Sequence, residues 1–206
     1  LTSSGWRQDH NGFSHQNPGF IDDVLRRHEG LVNVYFPADG NSTIAVLESM
    51  LSTPNMINVL NAAKTLEPRW RTPNQARQDL GLGVNIWDFA SDDDPQIVFS
   101  AAGDYMTKEA LAAIDMLKQD RPDIRSRFVN ILSLTSCGLG GTGLCITKPQ
   151  FDQLYTNDKP AIFNFHGYPE TLKSILFEYI TDSHNRFSVH GYTENGSTTT
   201  PFDMHV

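Results

Sequence analysis

Cysteine is scarce in this chain of 206 residues. Cys137 and Cys145 are the only two, and they flank the run Gly138-Leu139-Gly140-Gly141-Thr142-Gly143-Leu144. A local disulfide is one reading of such a pair; two free thiols in a reducing compartment are the favoured one. A structural zinc would need further ligands, and no neighbouring His or Cys supplies them. Basic residues are outnumbered, 16 Lys and Arg against 24 Asp and Glu, for a net charge of −8. That balance excludes a general nucleic-acid surface and gives no electrostatic pull toward anionic membranes. Binding of a sugar phosphate stays open, because a local cluster of donors decides it. No apolar run approaches the roughly 20 residues that span a bilayer. Leu1 is not an initiator Met, and no basic-then-apolar leader follows it. The expectation is a cytoplasmic protein cut from a longer chain.

Polar residues, in contrast, are concentrated. Gln8-Asp9-His10-Asn11-Gly12-Phe13-Ser14-His15-Gln16-Asn17-Pro18-Gly19 combines imidazoles, carboxamides, a carboxylate and a hydroxyl with turn-forming Gly and Pro. The stretch is too polar for a core element and too rich in turn formers for a helix. Its donors and acceptors, and imidazoles of ordinary pKa near 6.5, suit proton exchange around neutrality. From the residues alone, a hydrogen-bonded surface loop and an active-site loop are both admissible.

Past this loop, strand-like and helix-like segments alternate. Leu31 to Phe36 and Ile57 to Leu60 are short β-rich runs. Between them, Ile44, Leu47 and Leu51 recur at helical spacing, with Asn41 or Ser42 available as the cap, so the pattern predicts a β-α-β unit. Thr72-Pro73 is a helix start, with cap and proline in the usual order. A domain boundary is placed near residue 70, giving domains 1–70 and 71–206. In the second, strands are expected at 97–101, 127–132, 161–165 and 187–190, and helices at 108–118, 149–154 and 169–179. Apolar strands separated by helices indicate a parallel sheet covered on both faces, a three-layer α/β/α sandwich.

Three further features bear on function. Lys64 follows a strand run; it is either a solvated charge or a ligand group, since open α/β sheets bind ligands beyond the carboxyl ends of their strands. Gly138 to Gly143 spells G-x-G-x-x-G. A dinucleotide fingerprint would need a helix directly after it and an acidic residue ending the next strand. Leu144-Cys145-Ile146 reads as extended and Asp158 precedes its strand, so a nucleotide site is rejected. The triplets His166-Gly167-Tyr168 and His190-Gly191-Tyr192 each end an expected strand. A second polar site is conceivable there; the favoured reading is tight turns with rings packed between domains or subunits.

The opening loop resembles the signature of phosphoketolases, thiamine-diphosphate enzymes that cleave ketose phosphates with inorganic phosphate. Tyr35-Phe36-Pro37-Ala38-Asp39, the Lys64 region through Pro68-Arg69-Trp70, and Asp158-Lys159-Pro160 through Pro169 agree with that family. So does the segment from His190 through Thr198-Thr199-Thr200-Pro201-Phe202-Asp203-Met204. The resemblance implies a transketolase-like C-terminal domain preceded by the end of a thiamine-diphosphate pyrimidine-binding domain. It implies that His15 acts as an acid/base over the reacting carbons, that Gln8, His10 and Asn11 bind substrate oxygens or phosphate, and that Lys64 contacts the sugar phosphate. Implied cofactors are thiamine diphosphate and Mg²⁺, whose Gly-Asp-Gly…Asn motif this chain lacks, so the chain alone is expected to be inactive. Implied partners are xylulose 5-phosphate or fructose 6-phosphate, inorganic phosphate, the rest of the phosphoketolase chain, and further copies in a homodimer or larger homo-oligomer. A transketolase or pyruvate-dehydrogenase-type relative fits the opening loop less well. A non-catalytic assembly domain of a transketolase-like enzyme is the reading from another class, and it leaves the polar loop unexplained.

Overall fold

The computed structural model describes residues 18–27, 31–63, 65–135, 146–180 and 184–193. Its first part comprises helix α1 (Gly19–Leu25), strand β1 (Val32–Tyr35), helix α2 (Gly40–Ser52) and strand β2 (Ile57–Leu60). β1 and β2 pair in parallel, from Val32 opposite Ile57 to Tyr35 opposite Leu60, which is the β-α-β unit the apolar spacing predicts. β1 is buried along its whole length. Its polar residue Asn33 is accommodated because its side-chain amide donates to Asn58 Oδ1 at 3.0 Å.

Two details of α2 differ from the sequence expectation. The cap is Asp39, whose carboxylate accepts from Ser42 N, rather than Asn41 or Ser42. The stripe of Ile44, Leu47 and Leu51 is exposed, and the buried positions are Ser42, Ala45 and Val46. Small side chains let α2 lie close to the following helix, so the larger apolar residues point the other way, where no described residue covers them.

The second part begins with α3 (Pro73–Leu82). Thr72 and Gln75 form a reciprocal capping box, Pro73 opens the helix, and Gly83 ends it in the left-handed conformation at φ 71°. There follow β3 (Val84–Ile86), β4 (Ile97–Ala102), α4 (Asp104–Asp120), β5 (Ser126–Ile131), α5 (Lys148–Tyr155), β6 (Ala161–Phe165), α6 (Pro169–Leu176) and β7 (Phe187–His190). The sheet order is β3-β5-β4-β6-β7. All neighbours are parallel except β3, which runs antiparallel to β5 and was not foreseen: three residues directly after a helix cap carry no periodicity.

Alternation along the strands makes the layers. Val98, Ala102, Val129, Ile131 and Phe163 face α5 and α6 through Phe151, Tyr155, Leu172 and Leu176. Phe99, Ala101 and Phe128 face α4 through Tyr105, Ala110 and Ile114. Each large side chain so buried contributes roughly 1.5–3 kcal/mol. The domain is a three-layer α/β/α sandwich, as the apolar pattern indicates.

The two sheets are joined rather than merely adjacent. Tyr35 bridges Ser133, Phe36 N donates to Leu132 O at 2.8 Å, and Val34 N donates to Thr135 Oγ1 at 3.0 Å. Ile21, Val24, Val34 and Phe36 belong to the same apolar cluster as Ile131, Leu134 and Phe165. Thr171 of α6 donates to Asp22 of α1. Among the described residues, no helix is long and apolar enough to cross a membrane.

Candidate functional site at the carboxyl edges

Parallel strands end on one edge, and in open α/β sheets that edge binds ligands. Here two such edges meet. The carboxyl end of β1 runs into that of β6: the Phe36 ring lies 5.5 Å from Phe165, edge to face, and 6.2 Å from His166. Tyr35 meets Ser133 just past β5. The loop leaving β2 reaches α4, where the Lys108 ammonium pairs with the Glu67 carboxylate. Loops from both sheets therefore converge on one region.

The β2 loop is held at several points. Asn61 N donates to Tyr35 O at 2.9 Å. At the far end, Asp39 Oδ2 accepts from Trp70 N at 2.7 Å and Arg71 N at 2.8 Å, while its other oxygen caps α2. The segments Tyr35–Asp39 and Pro68–Trp70, which carry part of the family resemblance, thus meet on one buried carboxylate. Arg71 continues inward. Its guanidinium grips Asp79 with both Nε and Nη2, at 2.7 and 2.8 Å, and lies 5.4 Å from the Trp87 ring. Burial pushes the Asp79 carboxyl above its ordinary value; Arg71 opposes that push and the Asp39 carboxylate adds to it.

The two His-Gly-Tyr turns stack on one another. Tyr192 N donates to Gly167 O at 2.9 Å, and the Tyr168 and Tyr192 rings meet edge to face at 5.9 Å. A Cβ at residue 191 would lie 2.4 Å from Gly167 O, so only glycine fits. The tyrosines pack on each other, and they share an apolar cluster with Ala38 and Trp70 of the first part, while His166 lies against Phe36, in line with the expected packing between domains. His166 is 8% exposed and lies under Gly103, whose φ of 106° brings its backbone to the imidazole.

Burial drives the His166 pKa down to about 4. Because the folded value is below the unfolded one, the stabilisation tied to neutral His166 is complete above about pH 6.5 and is lost as pH falls toward 4. Between pH 7 and 5 this group should remove on the order of 2 kcal/mol. Denaturant unfolding at the two pH values, compared with His166→Gln, checks it: the variant should lose that part of the acid dependence.

Gln8, His10, Asn11 and His15 lie outside the described residues, as does Lys64. The glycine-rich run 137–145, though not Ile146, and the segment 198–204 also lie outside them. Lys64's chain neighbours Ala63 and Thr65 are described and belong to the loop between β2 and α3. What sequence reasoning missed are the side chains that fix this loop, Asp39, Glu67, Lys108 and the Arg71–Asp79 pair. No motif ties such distant positions together. Among the described residues, no group of three or more His, Cys, Asp or Glu could hold a metal ion.

The architecture is that of transketolases. Transketolase from Leishmania mexicana superposes with TM-score 0.70 over the whole chain and 27% of its own, at 16% identity. A split-gene transketolase, described as an inactive beta4 tetramer, superposes with TM-score 0.65 over 94% of the chain and 58% of its own, at 18% identity. These likenesses define the fold. Sequence comparison goes further: residues 64–206 match the XFP C-terminal domain, and residues 1–53 match D-xylulose 5-phosphate/D-fructose 6-phosphate phosphoketolase. Probable phosphoketolases of Brucella suis and Rhizobium meliloti are 43% and 42% identical over the full chain. The chain belongs to the phosphoketolase family. It spans about a quarter, 26%, of the length of those relatives.

Proposed function

We propose that this chain is the substrate-facing C-terminal portion of a phosphoketolase that cleaves xylulose 5-phosphate, fructose 6-phosphate or both with inorganic phosphate. The products are acetyl phosphate and glyceraldehyde 3-phosphate or erythrose 4-phosphate. The observation that carries this reading is the match to phosphoketolases along the whole chain, opening loop included. Thiamine diphosphate with Mg²⁺, held by another part of the enzyme, would supply the electron sink for carbon–carbon cleavage. This chain's own groups bind and move protons: His15 as acid/base, Gln8, His10 and Asn11 on substrate oxygens or phosphate, and Lys64 on the sugar phosphate. The convergence of strand ends around the β2 loop supports a ligand-binding role for it.

Lys64→Ala in the full-length enzyme tests the phosphate contact. A charge-assisted contact is worth roughly 1.5–3 kcal/mol, so the Michaelis constant for the ketose phosphate should rise at least about tenfold in an acetyl phosphate assay. An unchanged constant returns Lys64 to a solvated charge. The assembly-domain reading draws on the exposed Ile44, Leu47 and Leu51 stripe. It explains packing but assigns no work to the opening loop.

A further inference from the structure

We infer that Glu67 and Lys108 are positioning residues for the sugar-phosphate end of the substrate, acting through the loop that carries Lys64. The inference rests on the proposed role of Lys64. Thr65 and Leu66, directly after Lys64, are exposed, and so are Pro68 and Arg69. Glu67 differs: its side chain is only 7% exposed and pairs with Lys108, one turn into α4. From Ala63 to Arg69, Glu67 is the described residue whose side chain is seen bonding to another element. Thr65 Oγ1 donates to the same carboxylate at 2.8 Å, which ties the residue after Lys64 to the anchored one. Lys108 is itself constrained, with its ammonium 5.1 Å from the Tyr105 ring centroid and Tyr105 fully buried.

The geometry has a direct consequence. The β2 loop leaves one sheet at Asn61 and is fastened again at Trp70 and Arg71. A span of that length, lacking an internal tether, samples many backbone states, and each residue has conformational entropy to lose on ordering. Glu67 on Lys108 removes much of that freedom before substrate arrives. Pre-ordering of this kind lowers the cost of binding rather than adding a contact to the ligand. Because α4 starts at the carboxyl end of β4, the pair also sets the loop of one sheet relative to the strand ends of the other.

The test compares Lys108→Met, Glu67→Gln and Lys108→Arg with Lys64→Ala in the full-length holoenzyme, reading kcat and the Michaelis constants for ketose phosphate and for inorganic phosphate. Lys108→Met and Glu67→Gln should each raise the ketose phosphate constant roughly three- to tenfold, with kcat within about twofold. Lys108→Arg should restore most of the loss. In the Lys64→Ala background, Lys108→Met should have no further effect, because the group it positions is gone. If Lys64→Ala weakens ketose binding and Lys108→Met does not, the inference fails while the Lys64 reading stands. If Lys64→Ala changes nothing, that reading fails; a Lys108→Met effect then acts elsewhere and the inference falls with it. A Lys108→Met variant whose kcat and both constants worsen together with thermal stability has a merely structural lysine, which also overturns the inference.

Discussion

Replacing His15 by alanine in the full-length enzyme is expected to lower turnover by about 10²–10⁴-fold, the usual contribution of a positioned acid/base. In the proposed reaction, cleavage of the ketose and loss of water from the remaining two-carbon unit both require proton transfers, and an imidazole is the side chain suited to give and take protons near pH 7. Binding of the cofactor should change little, since the family resemblance puts its diphosphate and metal on another domain. His15→Asn separates two roles. Asparagine hydrogen-bonds but does not titrate, so it should rescue little of the rate. If it restores most of it, His15 orients substrate and another residue moves the proton.

The second large effect concerns stability. Asp79→Ala should destabilise the protein by about 3–5 kcal/mol, because it strands the Arg71 guanidinium in a buried site. The side chains are 10% and 8% exposed, so water cannot replace the lost carboxylate cheaply. Thermal unfolding should show a fall on the order of 10 °C. A fall of only a degree or two would mean that Arg71 swings out to solvent. The pH dependence has a definite sign. Burial raises the folded pKa of Asp79 above its unfolded value, so the native state holds the proton more tightly. Stability tied to this group therefore declines as pH rises through the usual carboxylate range and levels off above the folded pKa. Asp79→Asn should abolish that slope.

Legibility from sequence followed the range of the interactions. Helix α3 was readable because Thr72, Pro73, Gln75 and Gly83 act within a turn of themselves. The sandwich was readable because its strands are apolar on both faces. Helix α2 shows the limit: Asp39, Asn41 and Ser42 are all acceptable caps, and the choice fell to the one that also receives Trp70 N and Arg71 N. Its apolar stripe was seen, but spacing reveals a face and not what covers it. Glu67–Lys108 and Arg71–Asp79 left no trace in the sequence, since each depends on how separate elements come together. For Lys64 and the opening loop, which lie outside the described residues, local pattern left two readings open and only the family resemblance chose between them.

Asp39 carries a consequence for how these enzymes tolerate change. It recognises peptide N–H groups at positions 70 and 71, not side chains. The seam between the two matched segments is thus written in backbone on one side and in a single carboxylate on the other. Recombining the first segment of one relative with the second of another should leave this seam intact whatever residues arrive at 70 and 71, provided neither is proline, which has no N–H to offer. The constraint on divergence here is lopsided: Asp39 is fixed by three backbone N–H partners, while what constrains the side chains at 70 and 71 lies elsewhere, Arg71 on Asp79 and Trp70 against Phe89.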